Sequence, residues 1–103
     1  MTRKLRVAVV GLGVGKGHLE SYAMIPEHFE VAAVCDLDAA KAAAAATAFG
    51  IARYTTQLSD LLASGDIDII DICTPPNTHL ALIEQVLADV RALVPDHFFL
   101  VPG

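Results

Sequence analysis

Residues 6–18 read Arg6-Val7-Ala8-Val9-Val10-Gly11-Leu12-Gly13-Val14-Gly15-Lys16-Gly17-His18. An apolar, β-branched run breaks off in a glycine-rich turn, and a helix-forming segment follows at once. β-Branched residues favour a strand, and glycines let the backbone turn sharply and approach another group closely. A helix that opens there presents unpaired N–H groups and a partial positive charge, the elements of a diphosphate cradle.

Strand and helix patterns alternate outward from this point. The first strand is expected at Arg6–Val10 and its helix from about Lys16 to Ile25, where Pro26 stops it. A second strand, Glu30–Cys35, leads through Asp36-Leu37-Asp38 into an alanine-rich helix, Ala39–Phe49, with Asp38 as N-cap and Gly50 as C-terminal stop. Ala52–Thr55 is a short third strand. Leu58, Leu61 and Leu62 mark one face of a short helix that Ser64-Gly65-Asp66 closes. Asp68–Cys73, with three isoleucines, reads as a central parallel strand. Thr74-Pro75-Pro76 ends it, and Asn77 caps a helix with Leu80, Ile83, Leu87 and Val90 on one stripe. His97–Val101 reads as a last strand. Alternating β and α segments with right-handed crossovers argue for an α/β, doubly wound parallel sheet of about five strands in the order 3-2-1-4-5. That order brings the glycine turn beside Thr74–His79 at the topological switch point.

The length of 103 residues suits one domain, residues 1–103, whose segment 90–103 diverges and carries an edge strand. Hydrophobic content of 54% against 18% charged describes a chain with a buried core and argues against disorder. A net charge of −5 without a basic cluster excludes a non-specific nucleic-acid binder. No apolar run reaches the ~18 residues of a membrane span, and Gly11 ends the first run too early for a signal peptide. Cytoplasmic location is expected, with Cys35 and Cys73 as buried free thiols. A Cys73–His79 nucleophile lacks an evident third orienting group.

The turn matches the opening of the dinucleotide fingerprint G-x-G-x-x-G at Gly11 and Gly13. The third glycine would fall on Lys16, so either Gly17 takes its role after a one-residue shift or Lys16 stands there. Lys16 could pair with a phosphate, but a solvated lysine at the helix start is the slightly favoured reading. Asp36 lies 25 positions after Gly11, close to the ~20 at which an acid accepts the adenosine ribose hydroxyls. A carboxylate there favours NAD over NADP, because it repels a 2′-phosphate. The two prolines fix the backbone beside Thr74, whose hydroxyl is expected to face the crevice. Asp71 sits inside an apolar strand and must find a hydrogen-bond partner, which the sequence does not name. His18 and His79 could approach each other, but no carboxylate or cysteine set at metal-ligand spacing accompanies them, and no metal is expected.

Together RVAVVGLGVGKGH, VAAVCDLD and IDIIDICTPPNTH, followed by an amphipathic helix, resemble the N-terminal domain of the glucose–fructose oxidoreductase/inositol dehydrogenase (Gfo/Idh/MocA) family, from about Arg6 to Ala88. The resemblance implies a Rossmann-like fold binding NAD or, less readily, NADP. Gly11, Leu12, Gly13, Val14, Gly15 and Lys16 would meet the pyrophosphate, Asp36 the ribose, and Thr74, Pro75, Asn77 and His79 would line the site. The family continues into a strand ending Glu-Lys-Pro, whose lysine is catalytic, and then into a substrate domain. Here the corresponding text, Pro95 to Gly103, has no Glu-Lys pair, so a truncated and by itself inactive oxidoreductase domain is expected. Alternatives are a non-catalytic nucleotide-binding or dimerising remnant and a CoA-binding module of similar fold. Apolar surface left uncovered, together with Phe98-Phe99-Leu100-Val101, leads us to expect a homodimer or higher oligomer.

Overall fold

A computed structural model describes residues 3–74, 76–93 and 99–102, with side chains for 3–74 and 80–88. The elements run β1 (Leu5–Val10), α1 (Gly15–Ala23), β2 (Phe29–Cys35), α2 (Ala39–Phe49), β3 (Arg53–Thr55), α3 (Leu58–Ala63), β4 (Ile69–Ile72), α4 (Pro76–Leu93) and β5 (Phe99–Pro102). They form one parallel sheet in the order β3-β2-β1-β4-β5, the order expected. No described helix is long and apolar enough to cross a membrane.

Period-two alternation sorts the strand side chains into two cores. Ala8, Val10, Ala33, Cys35, Ile70 and Ile72 face Leu58, Leu61 and Leu62 of α3 and Val86 of α4. Val7, Val9, Val34, Ile69 and Cys73 face Leu19 of α1 and Ala42, Ala45 and Ala46 of α2. A sheet buried on both sides needs this two-faced hydrophobicity. The alanines let α2 lie close on its face.

Local signals set several ends. The Asp38 carboxylate accepts from the Ala40 and Lys41 N–H groups and caps α2, a contact worth about 1 kcal/mol. Gly50 closes α2 in the left-handed conformation at φ 66°. α1 stops at Ala23, two residues before the expected Ile25.

Two expectations about α4 need correction. The helix starts at Pro76, a favoured first-turn position for proline, so Asn77 lies within the first turn and is not the cap. The sheet-facing stripe is Leu82, Ile83 and Val86, whereas Leu80 and Leu87 are 69% and 48% exposed. Leu80 and Leu87 share a helical phase, but that phase turns away from β4. Of the last strand, His97 and Phe98 lie outside the described residues.

Candidate dinucleotide site

The carboxyl ends of β1, β2 and β4 finish together. The Gly11 N–H donates to the Cys35 carbonyl at 2.8 Å, and the Cys73 N–H donates to the Val10 carbonyl at 2.7 Å. These bonds put the glycine turn, Asp36 and Thr74 along one edge, as the switch-point argument requires.

The glycines have distinct roles. Gly11 has φ +94°, and a Cβ there would lie 2.9 Å from the Cys73 carbonyl carbon, the Thr74 N and the Thr74 Cγ2. It makes the turn and allows β1 and β4 to close on each other. A Cβ on Gly13 would meet nothing within 4 Å, so Gly13 leaves open space on the crevice side. Close packing of helix on strand falls to Gly15, where a Cβ would come 3.0 Å from Val9 Cγ1. Neither Lys16 nor Gly17 fills that role: both are exposed. Glycine spacing alone could not reveal this, because α1 begins one residue earlier than the fingerprint assumes.

No side chain caps α1, whose N-cap position is Val14, itself exposed. The N-terminal amides of the helix are therefore left without a side-chain acceptor. Leu12 is buried, so only its backbone faces the turn.

Asp36 ties the edge together. Its Oδ2 accepts from the Leu12 N–H at 2.9 Å and its Oδ1 from the Asp38 N–H at 2.9 Å. A carboxylate has about four acceptor positions, so capacity remains for two sugar hydroxyls. Lys41 is exposed, as expected. Thr74 packs its methyl carbon and backbone against Gly11. Pro75 lies outside the described residues. Asn77 and His79 are placed by their backbone in the first turn of α4, and their side chains are outside the description.

Beneath the turn sits a polar cluster that sequence reasoning missed. Asp71, 1% exposed, points from β4 to the α1 side, as Ile69 and Cys73 do. His18 and Tyr22, four apart and so on one face of α1, both reach it. His18 Nδ1 lies 2.7 Å from Asp71 Oδ2, and the Tyr22 hydroxyl donates to the same oxygen at 2.8 Å. The Cys73 thiol donates to Asp71 Oδ1 at 3.3 Å. Cys73 meets His18; the side chain of His79, weighed above as its partner, lies outside the described residues. Burial, followed by Asp71, pushes the Cys73 thiol up to about 12, the opposite of an activated nucleophile. Burial and then the Asp71 hydrogen bond raise the Tyr22 hydroxyl well above its usual value.

Cys35 is also a buried free thiol. Burial, then Asp36 and Asp60, push it from 9.0 up to about 11. A raised folded-state value means that the native protein keeps a proton the unfolded chain releases. Cys35 therefore supports folding fully below pH 9 and loses that contribution as pH climbs toward 11. Urea midpoints at pH 8 and pH 10.5 should show this decline, and a Cys35→Ala variant should show a shallower one.

Residues 5–97 match the profile of the Gfo/Idh/MocA family, described as an oxidoreductase family with an NAD-binding Rossmann fold. The match runs past Ala88, where the resemblance had been expected to end. Inositol 2-dehydrogenase 2 of Paenarthrobacter aurescens (strain TC1) is 38% identical over 80 residues, covering 77% of this chain and 24% of that protein. The WlbA dehydrogenase from Bordetella pertussis, solved with NADH and UDP-GlcNAcA, is 32% identical with a TM-score of 0.77, covering 84% of this chain and 27% of that one. Scyllo-inositol dehydrogenase from Lactobacillus casei, solved with NAD(H) and scyllo-inositol, is 27% identical with a TM-score of 0.75, over 84% and 26%. The chain spans about a quarter of the length of the curated relatives it matches.

Proposed function

The chain belongs to the Gfo/Idh/MocA oxidoreductase family, and we propose that it is the part of a sugar- or polyol-type dehydrogenase that seats the dinucleotide. One observation carries this reading. The Gly11 turn, the uncapped start of α1 and the Asp36 carboxylate converge on one edge of the sheet. The space above Gly13 and the spare acceptor positions of Asp36 fit a pyrophosphate and a ribose.

In this reading the backbone from Leu12 to Lys16 holds the pyrophosphate through its amides and the helix dipole. Leu12 reaches it through backbone alone, Val14 by its place at the helix start, and Lys16 adds a positive charge. Asp36 accepts the ribose hydroxyls and repels a 2′-phosphate, which favours NAD. Thr74, Pro75, Asn77 and His79 line the β4 side. Bound nicotinamide supplies the hydride chemistry, while the chain supplies position. Leu100 and Val101 precede Pro102 where the family carries Glu-Lys, so this stretch supplies no lysine for proton transfer.

Calorimetric titration with NAD and NADP tests the reading. Wild type should prefer NAD, and Asp36→Ala should lose more than ~1 kcal/mol of NAD binding while narrowing the preference. Equal NAD affinity in the two proteins overturns the ribose role.

Exposed Leu80 and Leu87 on α4 support a homo-oligomer. Light scattering over a tenfold concentration range should report a dimer or larger, and a monomer throughout would contradict it. The unpaired thiols Cys35 and Cys73 support a reducing compartment, the cytoplasm.

A further inference from the structure

The cluster beneath the glycine turn unites three different metal-ligating chemistries. Asp71 and Cys73 are alternate residues of one chain segment and therefore share a face. His18 comes down on them from α1. Its Nδ1 lies 2.7 Å from Asp71 Oδ2 and 3.3 Å from Cys73 Sγ, and that sulfur lies 3.3 Å from Asp71 Oδ1. One ligand atom from each of the three residues falls within 4.8 Å of the others. The remaining clustered carboxylates, Glu30, Asp66 and Asp68, are matched by Arg3, Arg6 and Arg53 and offer a cation nothing.

We propose that His18, Asp71 and Cys73 form a site for one borderline-soft divalent metal ion, Zn2+ being the ion that an imidazole, carboxylate and thiolate set fits. Zinc bonds of about 2.0–2.3 Å place tetrahedral ligand atoms roughly 3.3–3.7 Å apart. Both sulfur contacts already have that spacing. The 2.7 Å His18 contact runs to the other carboxylate oxygen, Oδ2, so with Oδ1 as the ligand His18 Nδ1 exchanges Oδ2 for the metal, a movement open to a histidine that is 35% exposed. Asp71 and Cys73 are buried, so that exposed side leaves a fourth position for water. The Tyr22 hydroxyl, 2.8 Å from Asp71 Oδ2, holds the carboxylate from behind as outer-shell partners do. Binding replaces the thiol proton by the metal, and one proton leaves to solvent for each ion bound. The ion would pin α1 to β4 directly below the turn, and it requires no dinucleotide.

The test uses the whole 103-residue chain, stripped with a chelator and free of cofactor. Co2+ is the probe, read by its thiolate-to-cobalt charge-transfer band in the near ultraviolet. One equivalent should develop the band, and Zn2+ should abolish it. Cys73→Ser should lose the band, Cys35→Ser should keep it, and His18→Ala should weaken Co2+ binding by at least about tenfold. No band in wild type overturns the proposal, as does a band retained in Cys73→Ser. Because His18 is partly exposed, His18→Ala is the variant least exposed to misfolding, and wild-type Co2+ affinity in it also overturns the site.

Discussion

Replacing Gly11 with alanine is expected to destabilise the fold by about 3 kcal/mol, summing a strained left-handed backbone and an overpacked contact. At φ +94° a side chain is strained in any surroundings. The added carbon would also sit 2.9 Å from the Cys73 carbonyl carbon and the Thr74 nitrogen. Those are backbone atoms of the segment that ends the central strand, and they cannot rotate aside as a side chain could. Thermal unfolding should shift down by roughly 4–8 °C for each kcal/mol, or on the order of 12–24 °C in all. Gly13→Ala is the matched control. Its added carbon meets nothing within 4 Å, so stability should hold within about 0.5 kcal/mol while NAD binding falls. Loss of stability at one glycine and loss of binding at the other would separate the glycine that shapes the turn from the one that admits the phosphates. Equal melting temperatures for the two variants would refute that division.

The division also marks what a linear reading could and could not find. Ala39–Phe49 was legible to the residue, because Asp38 and Gly50 act on their nearest neighbours and leave a mark in sequence. Strand order followed from alternation and handedness, which constrain any chain of this pattern. The helix-packing glycine was misread because its partner, Val9, is set by where α1 starts and not by the spacing of glycines. The α4 stripe was misread for a related reason. Leu80, Ile83, Leu87 and Val90 form an acceptable periodic set, but the phase that faces β4 is chosen by the sheet, which among the described side chains selects Leu82, Ile83 and Val86, that of Val90 lying outside them. The polar cluster was hidden most deeply. Asp71 and Cys73 stand 53 and 55 positions from His18, and nothing short of the β1–β4 pairing brings them together. Sequence did require a partner for Asp71; only packing could supply His18 and Tyr22.

Removing that partner should cost nearly as much as the Gly11 substitution. Asp71→Ala is expected to destabilise the protein by about 2–4 kcal/mol, because it orphans the donors gathered on that buried carboxylate. The Tyr22 hydroxyl loses its acceptor, and the ring cannot swing out freely, since it packs on Phe29 with centroids 5.4 Å apart. The Cys73 thiol loses its acceptor as well, and the His18 ring its anchor. Asp71→Asn keeps the size and one acceptor oxygen, so it should cost less, about 1–2 kcal/mol. A double-mutant cycle identifies the cause. If the orphaned hydroxyl carries a share of the penalty, Tyr22→Phe in the Asp71→Ala background should be less harmful than Tyr22→Phe in wild type, with a coupling of 0.5 kcal/mol or more, on the order seen for contacting residues. Strict additivity in urea unfolding would mean that Asp71 and Tyr22 act independently, and that burial of the carboxylate is sustained by His18 and Cys73.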